Sequence, residues 1–173
     1  MKLGPKEKYC RKFGQKMLWN ERCTSAKCGL VRRKYRPGVH GHKPRTLSLY
    51  ARQLLEKQRL KFSYLLNEVK LKNYVVLAKK AKKSAPLALI ELLERRLDNV
   101  IWRLGYVPSK LTARQLVSHG HFLVNGKRVK TPSYLVNEGD IIEIRLQSRN
   151  IKPFENLAQR LKFHQSPAWL EID

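Results

Sequence analysis

The stretch LLERRLDNVIWRLGYVPSKLTARQLVSHGHFLVNGKRV, residues 92–129, decides the fold. Together with Leu89 just before it, Leu92, Leu93, Leu97, Val100, Ile101 and Leu104 recur at i, i+3 and i+4 spacing, the apolar stripe of one amphipathic helix. Glu94, Arg95, Asp98, Asn99 and Arg103 fall off that stripe. Glu91, Glu94 and Asp98 read as surface carboxylates paired with Arg95 and Arg96. Gly105 follows the last apolar position and suits a left-handed helix end. Ser109 can cap a second, shorter helix with Leu111, Leu116 and Val117 on its buried side, and Gly120 ends it as Gly105 ends the first. The period then changes from helical to alternating. Phe122-Leu123-Val124 and Lys127-Arg128-Val129 flank Asn125-Gly126, the pair that best tolerates positive φ at both centres of a hairpin turn. A last strand, Ile141 to Arg145, follows the turn Asn137-Glu138-Gly139-Asp140. Residues 87–146 are therefore expected to form an α+β unit, two helices packed on a small antiparallel sheet, small but viable at about 60 residues.

Outward from this unit the pattern changes twice. Residues 47–86 read as a helical domain. Ser48 is its N-cap, Tyr50, Leu54 and Leu55 repeat at helical spacing, and Leu65, Val69, Val75 and Leu77 do so less regularly. It ends in Lys79-Lys80-Ala81-Lys82-Lys83 before Ser84 and Pro86, cations that complement a helix C-terminus and a proline that marks a boundary. Residues 1–46 carry fourteen Lys or Arg against Glu7 and Glu21, with Gly4-Pro5, Pro37-Gly38, Gly41 and Pro44 as breaks. Tyr9, Phe13, Leu18, Trp19 and Tyr35 are spaced through this basic extension, which points to a segment that orders against RNA or around a metal. Residues 147–173 form a C-terminal tail with a short helix around 154–163, expected to pack on the helical domain.

Charge sets the class of partner. The 173 residues hold 37 Lys plus Arg against 13 Asp plus Glu, a net charge of +24. Self-repulsion on that scale opposes compaction, and a polyanion relieves it while releasing its own counterions. Nucleic acid fits. A membrane does not, since no apolar run approaches the roughly 20 residues of a spanning helix. Met1 to Lys16 lacks the apolar centre of a secretory signal, and it departs from a transit peptide in having no serine and a Gly-Pro pair. Three cysteines suit reduced thiols or a metal site better than a disulfide framework. No phosphate-binding glycine loop occurs, and the five histidines have no spacing that pairs them with a Ser or Cys nucleophile, so no enzyme and no small-molecule substrate is expected.

The second helix and the hairpin read as an RNA-binding surface. Lys110, Arg114 and Gln115 lie on the helix's polar side, His119 and His121 flank Gly120, and Asn125, Lys127 and Arg128 sit at the hairpin turn. Guanidinium forks, amides and imidazoles suit phosphates, 2′-hydroxyls and unstacked bases. Taken alone, Lys127 or Lys130 reads equally well as a solvated surface residue; the cluster favours RNA.

Leu93-Glu94-Arg95-Arg96-Leu97-Asp98-Asn99-Val100, Arg103-Leu104-Gly105, Ala113 through His121, Val124 through Val129 and Pro132-Ser133-Tyr134 closely resemble the RNA-binding domain of the small-subunit ribosomal protein four family, in its bacterial and organellar type. Pro37-Gly38-Val39-His40-Gly41, Leu47 through Tyr50, Glu56-Lys57-Gln58, Ser148-Arg149-Asn150 and Trp169-Leu170-Glu171 extend the resemblance over nearly the whole chain. It implies a structural constituent of the small ribosomal subunit. Such a protein binds the 5′ domain of small-subunit ribosomal RNA at a multi-helix junction, starts assembly, and sits near messenger entry beside a neighbouring small-subunit protein, where it influences decoding accuracy. It implies a ribosome of the bacterial cytoplasm, plastid or mitochondrial matrix. The RNA-binding set becomes Arg95, Arg96, Ser109, Lys110, Arg114, Gln115, His119, His121, Asn125, Lys127, Arg128 and Lys130, with Arg32, Arg33 and His40 from the basic extension. The alternatives are a non-ribosomal RNA-binding module, which needs only residues 90 to 146, and an RNA-modifying enzyme, which needs a larger catalytic domain than the flanks provide.

The resemblance also departs from its pattern in two places. Many relatives carry four N-terminal cysteines as a structural zinc site. Cys10, Cys23 and Cys28 stand at three of those places and Glu7 where the first would be, so either Glu7 or His40 supplies the fourth ligand of a possible zinc, or the thiols are simply free or buried. Relatives also usually continue past the Trp169-Leu170-Glu171 stretch, so this chain is expected to be either a naturally short version or a truncated one.

Overall fold

The computed structural model describes residues 6–17, 23, 25–43 and 46–172. They form two compact units, Met1–Lys72 and Asn73–Asp173.

In the first unit Tyr9 and Phe13 of the basic extension pack on an aromatic partner from the helical region. Helices α1 (Lys6–Phe13), α2 (Gly29–Arg32) and α3 (Leu49–Ser63) pack so that the Tyr9 and Phe13 rings lie 4.2 and 5.9 Å from the ring of Phe62. Arg11 donates from Nε to the Tyr35 carbonyl at 3.1 Å and from Nη2 to that of Arg36 at 3.2 Å, with its guanidinium over the Tyr35 ring. The zone expected to be irregular is thus tied down at these points. The expectations for Leu18, Trp19 and Pro44 fall outside the described residues.

Ser48 caps α3, its Oγ accepting from the Ala51 amide at 3.2 Å. The helical region expected over 47–83 is two helices, α3 and α4 (Glu68–Lys79). The break is Leu65, which takes the left-handed conformation (φ 54°) normally left to glycine. The Leu66 amide then reaches back to the Lys61 carbonyl at 2.9 Å, a Schellman end that buries Leu65 and Leu66 together. Asn67 starts α4, its Oδ1 accepting from the Lys70 amide at 2.9 Å.

In the second unit the single helix expected over 89–104 is also two, α5 (Ala85–Glu94) and α6 (Leu97–Arg103). Arg96 between them is extended and pairs with Leu135 as an isolated β-bridge. The Val136 amide donates to the Arg95 carbonyl at 2.8 Å and the Leu97 amide to that of Tyr134 at 2.9 Å. Backbone bonds to a distant segment replace the helical ones at the break.

Then follow α7 (Lys110–His119) and strands β1 (Phe122–Val124), β2 (Lys127–Val129) and β3 (Ile142–Ile144), an antiparallel sheet in the order β2-β1-β3. The architecture is α+β. The hairpin pairs Phe122 with Val129 across Asn125 (φ 51°) and Gly126 (φ 73°). Leu97, Ile101, Val107, Ala113, Leu116, Val117, Phe122 and Val124 form the core. Leu111 is only half-buried, and Ala113 takes the interior position.

The tail joins this core. Phe154 stands edge-on to Phe122 at 5.8 Å, and His164 Nε2 lies 2.6 Å from the Arg103 carbonyl oxygen. Its helix, α8, spans Leu157–Phe163. Among the described residues no helix is long and apolar enough to cross a membrane.

Candidate nucleic-acid interface

The site is built on the C-terminal end of α7 and the hairpin beside it. Gly120 (φ 74°) turns the chain out of α7, and the His121 amide closes the end on the Leu116 carbonyl at 3.1 Å. A β-carbon at Gly120 would collide with the Arg128 guanidinium, which occupies that space. Arg128 donates from Nε to the Gly120 carbonyl at 3.0 Å and from Nη2 to the His119 carbonyl at 2.9 Å. It therefore neutralises the negative end of α7 and fixes the hairpin to it. This places His119 and His121 with ring centroids 5.9 Å apart.

His119 is exposed, while His121 is half-buried with Nδ1 2.9 Å from the buried Ser148 hydroxyl. Burial, then the charges of His119, Arg128 and Arg145, holds the His121 pKa below the usual histidine range. Lys127 and Lys130 are exposed beside it. Asn125 is used internally: its Oδ1 accepts from the Ile141 amide and its Nδ2 donates to Asp140, tying the turn to the start of β3.

At the other end of α7, the Ser109 hydroxyl caps the helix by accepting from the Thr112 amide at 3.2 Å. The Lys110 ammonium lies 4.5 Å from the centroid of the Trp102 ring. Burial pulls its pKa down to about 8, opposed by Glu94 and Asp98 and reinforced by Arg103 and Arg96. Arg114 is partly buried, with Nη1 3.9 Å from an Asp98 oxygen, and Gln115 is exposed.

Two expectations need correction. Arg96 is not part of an RNA surface. It is 1 % exposed, held by Asp98 at 3.1 and 2.8 Å and by the Tyr74 hydroxyl at 2.9 Å. Asp98 and Asn99 are likewise interior, so the acid–base pairs of this stretch are not all on the surface. Glu94 receives both the Asn99 amide and a bidentate Arg103. Arg95 is half-exposed and donates to the Val136 carbonyl at 2.9 Å, a staple across the break that leaves part of the guanidinium in solvent.

Trp102 is not named from the sequence, Arg145 is named only as a strand end and Ser148 only as part of the resemblance. Trp102 carried a signal, standing one residue from Arg103 within the helix, whereas the partnership of Ser148 with His121 is purely tertiary.

In the first unit Arg32, Arg33 and His40 are exposed, and Arg32 and Arg33 line a cleft with Lys8 and Arg11. Cys10, Cys23 and Cys28 are buried and form no disulfide. Among the described residues no three His, Cys, Asp or Glu side chains gather as a metal site.

Comparison with known proteins divides the chain elsewhere than between the two compact units. A family model for the ribosomal protein S4/S9 N-terminal domain matches residues 2–94, and one for the S4 domain matches residues 95–142. The junction falls on the break between α5 and α6. The chain is thus a ribosomal protein built around an RNA-binding S4 domain. It is 45 % identical over 172 residues to small ribosomal subunit protein uS4 of Caldicellulosiruptor saccharolyticus, covering 99 % of this chain and 83 % of the relative. It is 44 % identical over 171 residues to uS4 of Thermosipho melanesiensis, covering 98 % and 82 %. To uS4A of Bdellovibrio bacteriovorus it is 44 % identical over 167 residues, covering 96 % and 80 %. The chain belongs to the small ribosomal subunit protein uS4 family. That is a family of structural ribosomal proteins and not of enzymes, and a lone RNA-binding module is not favoured, because the match runs through both halves.

Proposed function

We propose that the protein binds the 5′ domain of small-subunit ribosomal RNA at a multi-helix junction and nucleates assembly of the subunit. Beside a neighbouring protein of the messenger entry region, it contributes to translational accuracy without any catalysis of its own. Its ribosome is bacterial, or that of a plastid or mitochondrion. The observation that carries this reading is the Arg128 clamp, which holds the end of α7 and the hairpin as one rigid edge bearing His119, His121, Lys127 and Lys130. Donors fixed before binding lose little freedom on meeting a folded RNA, so shape as well as charge is recognised. The +24 charge supplies the affinity. The three buried thiols serve as packing residues of the first unit.

The test is sedimentation of tagged protein in cells. The reading expects it in the small subunit and its early precursors, resisting a moderate salt wash. Recovery only with the large subunit, or only as free protein, would contradict it.

A further inference from the structure

The first unit contains a second basic feature, a cleft of about 380 Å³ between α1, α2 and the chain at Pro37. That volume suits one nucleotide unit. Lys8, Arg11, Arg32 and Arg33 line it, and Arg11 is held in place by the Tyr35 and Arg36 carbonyls. Four cations describe a phosphate site. The fifth charged residue does not, because it is Glu7, whose carboxylate repels an anion. Glu7 is nevertheless accommodated. Its Oε2 rests against the α-carbon of Gly29, in space that any β-carbon there would fill. An ionised carboxylate only accepts hydrogen bonds, so what it faces must donate. In a nucleotide strand the donor beside each phosphate is the ribose 2′-hydroxyl, which DNA lacks. Carboxylates serve as ribose acceptors in dinucleotide-binding folds for the same reason.

We propose that this cleft is a ribonucleotide subsite, in which Lys8, Arg32 and Arg33 hold a backbone phosphate and Glu7 accepts from the adjacent 2′-hydroxyl. The site deepens the RNA-binding reading and rests on it only in that the nucleotide belongs to an RNA strand. Glu7 is here a specificity residue: it lowers affinity for any polyanion and recovers it only from RNA.

The experiment titrates the full-length protein with a short single-stranded RNA and with the all-2′-deoxy strand of the same sequence. Wild type prefers the RNA. Glu7→Ala weakens RNA binding and tightens DNA binding, so the preference falls about tenfold, the scale of one hydrogen bond to a charged acceptor. Gly29→Ala retains the acid and a better helix former, but its methyl group displaces the carboxylate, and it produces the same loss. Should either variant bind both strands more tightly by the same factor, the cleft is a plain cationic surface and the proposal is overturned. Arg114→Ala, in the second unit, leaves the Glu7-dependent preference intact while weakening binding to structured ribosomal RNA. Failure of the cleft and failure of the ribosomal reading are thereby distinguished.

Discussion

Arg95 and Arg96 are adjacent, identical in type and opposite in circumstance. Arg95 staples a carbonyl from a half-exposed position, whereas Arg96 is an interior cation whose carboxylate partner, Asp98, is itself buried. Nothing local distinguishes them, because the difference depends on Tyr74 and on the segment around Leu135. The sequence therefore showed that this stretch is rich in charge but not which charge is inside. Arg96→Ala leaves Asp98 uncompensated in the interior and is expected to cost about 3–5 kcal/mol, against less than about 1 kcal/mol for Arg95→Ala. Urea denaturation of the two variants measures the difference, and equal small losses would remove Arg96 from the core. The cluster at the end of α7 was easier to read. Gly120, Asn125 and Gly126 mark their own backbone conformations, and the residues around them must follow.

At the scale of the element, α7 and the hairpin matched their sequence pattern, since cap, apolar face and turn are all local signals. The two helices that broke did so for reasons outside themselves. Leu65 accepts a left-handed conformation because the break buries two leucines, and the α5–α6 step is stabilised by backbone bonds to residues near 135. Packing of α6 on α7 also sets the state of Lys110. The fold lowers its pKa to about 8, below the roughly 10.4 of an unfolded lysine. The neutral amine is therefore the form the fold prefers. This contribution to stability is fully present above about 10.4 and is lost as pH falls through 8. Lys110→Met should accordingly be more stable than wild type at pH 7, and that advantage should shrink between pH 8 and 10. Thermal denaturation across that range checks it; an advantage independent of pH would mean that the ammonium is not desolvated.

For the whole molecule, composition alone indicated a polyanion partner, and the structure distributes that charge unequally. Some cations are structural, Arg96 and Arg103 among them, and others face solvent at the hairpin and around the N-terminal cleft. The cleft itself was not legible beforehand, because Glu7 and Gly29 are brought together by the packing of α1 on α2. The central claim is that this arrangement recognises one folded RNA rather than any RNA. The measurement that tests it most directly is binding of the full chain to 5′-domain small-subunit ribosomal RNA, with transfer RNA as competitor, over a series of salt concentrations. The account predicts binding that survives the competitor at every salt and weakens along a steep logarithmic line, as many neutralised phosphates require. Equal competition by transfer RNA throughout would contradict it, and would reduce the basic surface to non-specific attraction.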